Sequence, residues 1–215
     1  GYIDLDNRGR QICKKINDVK QSEDEVVFDH HINWYTSNDE NWLTEQRAWR
    51  FAGCQIENSY LLDIKMQLTN VSGKNLEFGS PTTEGRPEAG YGGLFWRGPR
   101  DFIGGEVFDS EGRQSASDIM GKPASWLAYS GKHDNSFNKS TLVFIDHPDN
   151  PRYPNKWFVR TERFPVVSFA FTFDKIYTLA DKARLKLNYR IVVVDGEVNV
   201  EQINEIAENF SNKIK

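Results

Sequence analysis

Cysteine is scarce in this 215-residue chain: Cys13 and Cys54 are its only two. That excludes a disulfide framework, and because both fall in strand-like segments they read as buried free thiols. Long apolar runs are missing as well. VVSFAFTF and RIVVV are the longest candidates, far short of the roughly 20 residues that a membrane-spanning helix needs. Basic charge is not in excess, with 27 Lys and Arg against 31 Asp and Glu for a net charge of −4. Nucleic acid and anionic membranes are therefore poor candidates for the main partner. No HExxH, CxxC, phosphate-loop or GxSxG pattern occurs, so no organic cofactor and no serine nucleophile is implied. His30, His31 and His147 with nearby carboxylates could hold a metal, but no ligand spacing supports one. Gly1 opens no signal-peptide pattern, and the expectation is a soluble protein, in the cytoplasm rather than outside it. Sequons at Asn70, Asn138 and Asn209 would matter only in a glycosylating secretory pathway.

What the chain does have is alternation. Tyr60, Leu62, Ile64, Met66 and Leu68 face one way, with Asp63, Lys65, Gln67 and Thr69 opposite. Val167, Phe169, Phe171 and Phe173 repeat the pattern, as do Leu185, Leu187, Tyr189, Ile191 and Val193. Period-two patterning predicts sheets with one buried face. Further strands are expected near 11–16, 25–35, 42–51, 93–96, 126–129, 141–145 and 156–161, punctuated by Ser72-Gly73, Glu111-Gly112 and Asp195-Gly196. The tail changes period. Val200, Ile203, Ile206, Ala207, Phe210 and Ile214 share a helical face, and Asn199 with Gln202 resembles a capping box. The fold class that follows is mainly β: one antiparallel β-sandwich domain over residues 1–215, closed by a C-terminal amphipathic helix.

Candidate chemistry clusters around Gly79–Gly105. This stretch holds eight of the sixteen glycines, with Arg86, Arg97 and Arg100 among Tyr91, Phe95, Trp96 and Phe102. Glycine permits unusual backbone and close approach, whereas aromatics argue against a disordered linker, so the stretch reads as an ordered site wall. On the strand at 42–51, Leu43, Glu45, Arg47, Trp49 and Phe51 share a face, placing a carboxylate and a guanidinium among apolar groups. They form either a site-lining pair, with Glu45 as acid or base, or a structural ion pair. His30 shares a face with Val26, Phe28, Ile32 and Trp34, while His31 sits with Asp29 and Asn33. His147 lies in a Pro-stiffened turn ahead of Trp157 and Arg160. The expected proton-transfer groups are His30, Glu45 and His147. The expected substrate contacts are Arg47, Arg86, Tyr91, Trp96, Arg97, Trp157 and Arg160.

Several motifs together resemble a bacterial family. They are GRPEAGYGGLFWRGPRDF, LTN at Leu68–Asn70, MGKPASWLAYSG from Met120, KWFVR from Lys156, His31, Trp34 and Glu45-x-Arg47. The chain looks like the proteins labelled "methane oxygenase PmoA", soluble proteins unlike the membrane subunit from which the label comes. The resemblance covers nearly the whole chain. It implies a galactose-mutarotase-like supersandwich lacking an initial stretch of sheet at the amino end. It assigns no catalytic residue. Together with the aromatic–arginine mixture it leads to an expected carbohydrate-active enzyme, a hydrolase, lyase or epimerase, working on a sugar or oxidised sugar. A non-catalytic sugar-binding module, or a structural sandwich with cation–π stacks, are the alternatives.

Overall fold

A computed structural model describes residues 6–134, 136 and 138–212. In chain order its first strands are β1 (Arg10–Ile16), β2 (Lys20–Gln21), β3 (Glu25–Tyr35), β4 (Asn41–Gly53), β5 (Ser59–Asn70), β6 (Leu76–Phe78) and β7 (Phe95–Arg97). They are followed by β8 (Glu106–Asp109), helix α1 (Ala116–Ile119), β9 (Trp126–Lys132), β10 (Lys139–Asp146), β11 (Trp157–Arg160), β12 (Val166–Phe169), β13 (Tyr177–Leu179), β14 (Arg184–Asp195) and helix α2 (Val200–Asn212). Nine strands form one antiparallel sheet, in the order β1-β3-β4-β5-β14-β10-β9-β8 with β2 beside β3. A three-stranded sheet, β11-β12-β7, and the β13–β6 ribbon lie apart from it in pairing.

The alternation decides what each face of the large sheet does. Ile64, Met66 and Leu68 on β5 stand beside Tyr189, Leu187 and Leu185 on β14. They pack with Phe144, Leu127, Tyr129 and the inner side of the small sheet, Trp157, Val159, Val167 and Phe169. This is the main core. The opposite face buries Leu61, Val143, Ile145, Val192 and Trp126 beneath Ile203, Ile206 and Phe210 of α2. Each large side chain so buried contributes about 1.5–3 kcal/mol of transfer free energy. The capping box at the start of α2 forms: Asn199 Oδ1 accepts from the Gln202 amide at 2.9 Å, and Gln202 Oε1 from the Asn199 amide at 3.3 Å. Ile214, placed on the helix face by its spacing, lies outside the described residues.

Three expectations change. The run from Val167 to Phe173 is strand only to Phe169. Beyond it the chain turns, with the Phe173 amide on the Ala170 carbonyl at 2.9 Å, and Phe171 and Phe173 are buried by folding back rather than by alternation. Cys13 is exposed, not buried, because β1 is an edge strand, and Cys54 is half-buried. The short strands β2, β6, β8 and β13 carry too few residues to show a period. The sequon asparagine Asn70 is fully buried, and its amide donates to the carbonyls of Lys74, Leu179 and Ala180.

Candidate functional site

The stretch from Gly79 to Gly93 meets the main-core face at its two ends, Gly79 and Gly92–Gly93, which border a groove of about 430 Å³. Met66, Leu68, Leu185 and Leu187 make its floor, and Phe78, Gly79, Gly92, Gly93, Phe95 and Phe171 its roof; Trp34, Arg47 and Gln11 also line it. A cavity of this size, mostly apolar with a few polar groups, is typical of small-molecule sites. The roof is held by Thr172, whose hydroxyl lies 3.1 Å from the carbonyls of both Gly79 and Gly92. Glycine is required there for packing: a Cβ on Gly92 would stand 2.0 Å from Thr172 Oγ1, and one on Gly93 2.0 Å from the Phe169 carbonyl oxygen. The glycines therefore shape the wall by letting it lie close on the small sheet.

Arg47 is the groove's cation. Its Nε donates to Glu45 Oε1 at 2.6 Å and its Nη2 to Oε2 at 3.0 Å, while Trp34 Nε1 donates to Oε2 at 2.8 Å. The Glu45 side chain is fully buried, and Arg47 is half-buried. Two residues apart on one strand, the pair shares a face because successive side chains alternate. Three donors hold the carboxylate, which compensates its removal from water. Nη1 of Arg47 takes no part in these bonds.

His30 is the cross-strand neighbour of Arg47. Its ring meets Trp49 edge-on at 6.2 Å, with Trp49 Nε1 3.5 Å from His30 Nε2. Burial, and then the charge of Arg47, hold its pKa below the usual 6.5, against the opposing pull of Glu45. A neutral imidazole thus stands across the ladder from the groove's guanidinium, although His30 does not itself line the groove.

The remaining expected residues lie elsewhere. His147 is buried on the α2 side, with Nδ1 accepting from the Asp149 amide at 3.1 Å and its ring edge-on to Phe210 at 4.9 Å. Burial lowers its pKa, and its ring packs against the helix rather than reaching the groove. Trp157 is wholly buried, with its indole N–H on the Ala124 carbonyl at 2.9 Å, so it offers no platform to a ligand. Trp96 fills the space between the sheets, 5.4 Å from Tyr129 and 5.5 Å from Phe144. Arg86 is exposed on the Gly79–Gly93 stretch, and Tyr91, Arg97 and Arg160 stand on the outer side of the small sheet. Trp34 is not among the expected contacts, although its place on the His30 face and the antiparallel pairing of adjacent strands point to Glu45. Phe95 belongs to the aromatic–arginine stretch expected to form the site wall, and Gln11 carries no comparable signal.

A second hollow, of about 500 Å³, opens beside α2. Three of its charged groups, Arg50, Asp63 and Arg190, bind one another. Arg190 Nε and Nη2 donate to Asp63 at 2.6 and 2.9 Å, and Arg50 donates to Asp63 at 3.1 Å and to Glu25 at 2.6 Å. Among the described residues no three His, Cys, Asp or Glu side chains gather as a metal site requires. No described helix is long and apolar enough to cross a membrane.

Residues 2–208 match a family described as a family of unknown function, DUF6807. The chain belongs to this family. All ten residues singled out by sequence, and the whole groove, fall within the DUF6807 match. No curated protein matches the chain. Among solved structures it is similar to a galactose mutarotase related enzyme from Lactobacillus acidophilus, with 11% identity and a TM-score of 0.28 over 85% of this chain and 72% of that one.

Proposed function

We propose that this DUF6807 protein binds a sugar or oxidised sugar derivative in the groove bordered by Gly79 and Gly92–Gly93, and that it is an enzyme moving a proton on that ligand, as an epimerase or a lyase does. The observation that carries the reading is Arg47, a guanidinium fixed by Glu45 beside an apolar floor, with His30 across the ladder. The apolar floor and Trp34 suit the C–H face of a sugar ring, and a guanidinium suits a carboxylate or keto oxygen. His30, neutral at neutral pH, accepts the proton from the carbon next to that group. The C–H electron pair shifts onto the carboxylate oxygens, where Arg47 meets the added charge; it returns to the carbon as the imidazolium or solvent gives a proton back, or, in a lyase, expels the oxygen on the next carbon. Hydrolysis by paired carboxylates finds no support, since no carboxylate lines the groove and Glu45 is tied to Arg47 and Trp34. The sequence likeness to soluble PmoA-like proteins is compatible with a sugar ligand.

The second reading is a sugar-binding module without turnover. It is favoured by one fact: among the described residues no acid lines the groove opposite Arg47, and His30 Nε2 already faces the Trp49 indole N–H at 3.5 Å. Deuterium exchange separates the two. Galacturonate, glucuronate and mannuronate are incubated with the protein in D2O, and loss of the ring C–H signal next to the carboxylate is followed by proton NMR. Wild type is expected to exchange that proton. Arg47→Ala should lose both binding and exchange, and His30→Gln should bind but not exchange. The rate should climb with pH through a pKa below 6.5 and level off at neutral pH. Binding without exchange in wild type leaves the module reading; no uronate binding at all refutes both.

A further inference from the structure

Tyr91, Arg97 and Arg160, expected at the site, do not enter the groove. They gather on the outer face of the small sheet. In β7, Trp96 turns into the core, so Phe95 and Arg97 turn outward; in β11, Phe158 and Arg160 share that outer face. Phe95 and Phe158 flank Ser168 in the ladders. Tyr91 leans on both rings, 5.2 Å from Phe158 and 6.3 Å from Phe95. Tyr91 and Phe95 remain 36% and 44% exposed, although each is large and apolar.

The arginines differ sharply between the two sheets. On the large sheet Arg10, Arg47, Arg50 and Arg190 are each bound to a carboxylate, and Arg184 at the start of β14 takes none among the described residues. Around the small sheet, Arg86, Arg97, Arg100, Arg160 and Arg163 take no carboxylate partner among the described residues. Arg97 lies instead over the Phe164 ring at 4.6 Å, and Arg160 over Phe158 at 5.0 Å. Stacking orients a guanidinium without neutralising it; Arg160 Nη2 also reaches the Glu88 carbonyl at 3.4 Å, which leaves its remaining edge donors for an anion. The chain as a whole is acidic, at −4, which makes this unpaired cationic strip a local feature. Phe95 joins the two regions, since it lines the groove and also touches the Tyr91 ring.

We propose that the groove takes the end of an anionic oligosaccharide, and that Phe95 and Tyr91, which lie over the buried Phe158, form with Arg97 and Arg160 the track along which its following sugars lie. The proposal rests on reading the groove as a site for an oxidised sugar, and adds that the ligand is a chain. Exposed rings accept the C–H faces of successive sugars, and the unpaired guanidiniums accept their carboxylates. A neutral polymer would leave the arginines unused.

Calorimetry tests it, using galacturonate, glucuronate and mannuronate, long oligomers of each, a neutral cello-oligosaccharide and dextran sulfate. One uronate oligomer should bind at least about tenfold more tightly than its monomer. Arg97→Ala combined with Arg160→Ala should remove that excess while leaving monomer affinity and the urea midpoint unchanged. The track is refuted if no oligomer exceeds its monomer, or if the double variant keeps the excess. It is equally refuted if dextran sulfate binds as tightly as the uronate oligomer, because the strip would then be a general polyanion surface. Failure of the groove has a different signature: monomer binding absent, or unaffected by Arg47→Ala, while oligomer binding still depends on Arg97 and Arg160.

Discussion

Glu45–Arg47 and Asp63–Arg190 sit on opposite faces of the same sheet and have nearly the same geometry. In each, Nε and Nη2 of one guanidinium reach both oxygens of one buried carboxylate, at 2.6 and 3.0 Å in the first and 2.6 and 2.9 Å in the second. Their surroundings separate them. Arg190 is covered by the Phe210 ring at 4.5 Å, and Asp63 takes a further bond from Arg50, which is itself held by Glu25. That network links β3, β4, β5, β14 and α2, and closes on itself. Glu45 receives only Arg47 and Trp34, both from its own face, and Arg47 reaches the groove. A buried ion pair is therefore no sign of a site by itself; what matters is whether a member of it has valence left towards a cavity. Asp146 makes a third case. It is buried with bonds from the Asn150 side chain and the Asn155 amide, at 2.7 and 2.9 Å, and no guanidinium. Burial pushes its pKa up from 3.8 to about 6.

The largest expected effect comes from breaking the closed network. Asp63→Ala leaves Arg190 buried without its anion and should cost about 3–5 kcal/mol of stability, read by urea unfolding. A loss under about 1 kcal/mol would show that solvent replaces the carboxylate and that the network is not structural. Next is Asp146, whose raised pKa has a definite sign. A carboxyl that binds its proton more tightly when folded adds stability that is fully present below its unfolded value of 3.8 and lost as pH rises through about 6. Unfolding free energies of wild type and Asp146→Asn, taken from urea titrations, should therefore diverge by up to about 3 kcal/mol between acid and neutral pH, with wild type the one that weakens. Parallel curves would mean that Asp146 is ionised at no cost. The smallest effect on stability is expected where the comparison is sharpest. Replacing the first pair together, Glu45→Leu with Arg47→Met, removes both charges and leaves neither stranded, so unfolding should shift by no more than about 1 kcal/mol. Binding of a uronate should vanish all the same. Retained binding would place the ligand elsewhere.

Much of this was legible in the residues themselves. Alternation at 60–70 and 185–193 marked β5 and β14, and the shared face of Glu45 and Arg47 followed from position alone. The capping box at Asn199 and Gln202 was equally plain, as were the three turns, where Gly73, Gly112 and Gly196 have φ of 77°, 77° and 102°. These are local properties, fixed by spacing within one element. The aromatic–arginine mixture misled at Trp96 and Trp157, because composition does not say which side of a short strand faces the core. His147 misled for a related reason: its turn is rigid, but rigid against Phe210, far along the chain.

The sequence by itself determined the β architecture, the closing helix, and the presence of a carboxylate–guanidinium pair on a buried face, because pleat and helix periods act over a few residues. Only the tertiary structure decided that Thr172 ties Gly79 and Gly92 into a roof over Arg47, and that Asp63 meets Arg190 from 127 positions away. It also separated the stacked arginines of the small sheet from the paired ones of the large sheet. Those outcomes depend on which strands become neighbours, and that is settled by burying two faces of one sheet at once under different covers.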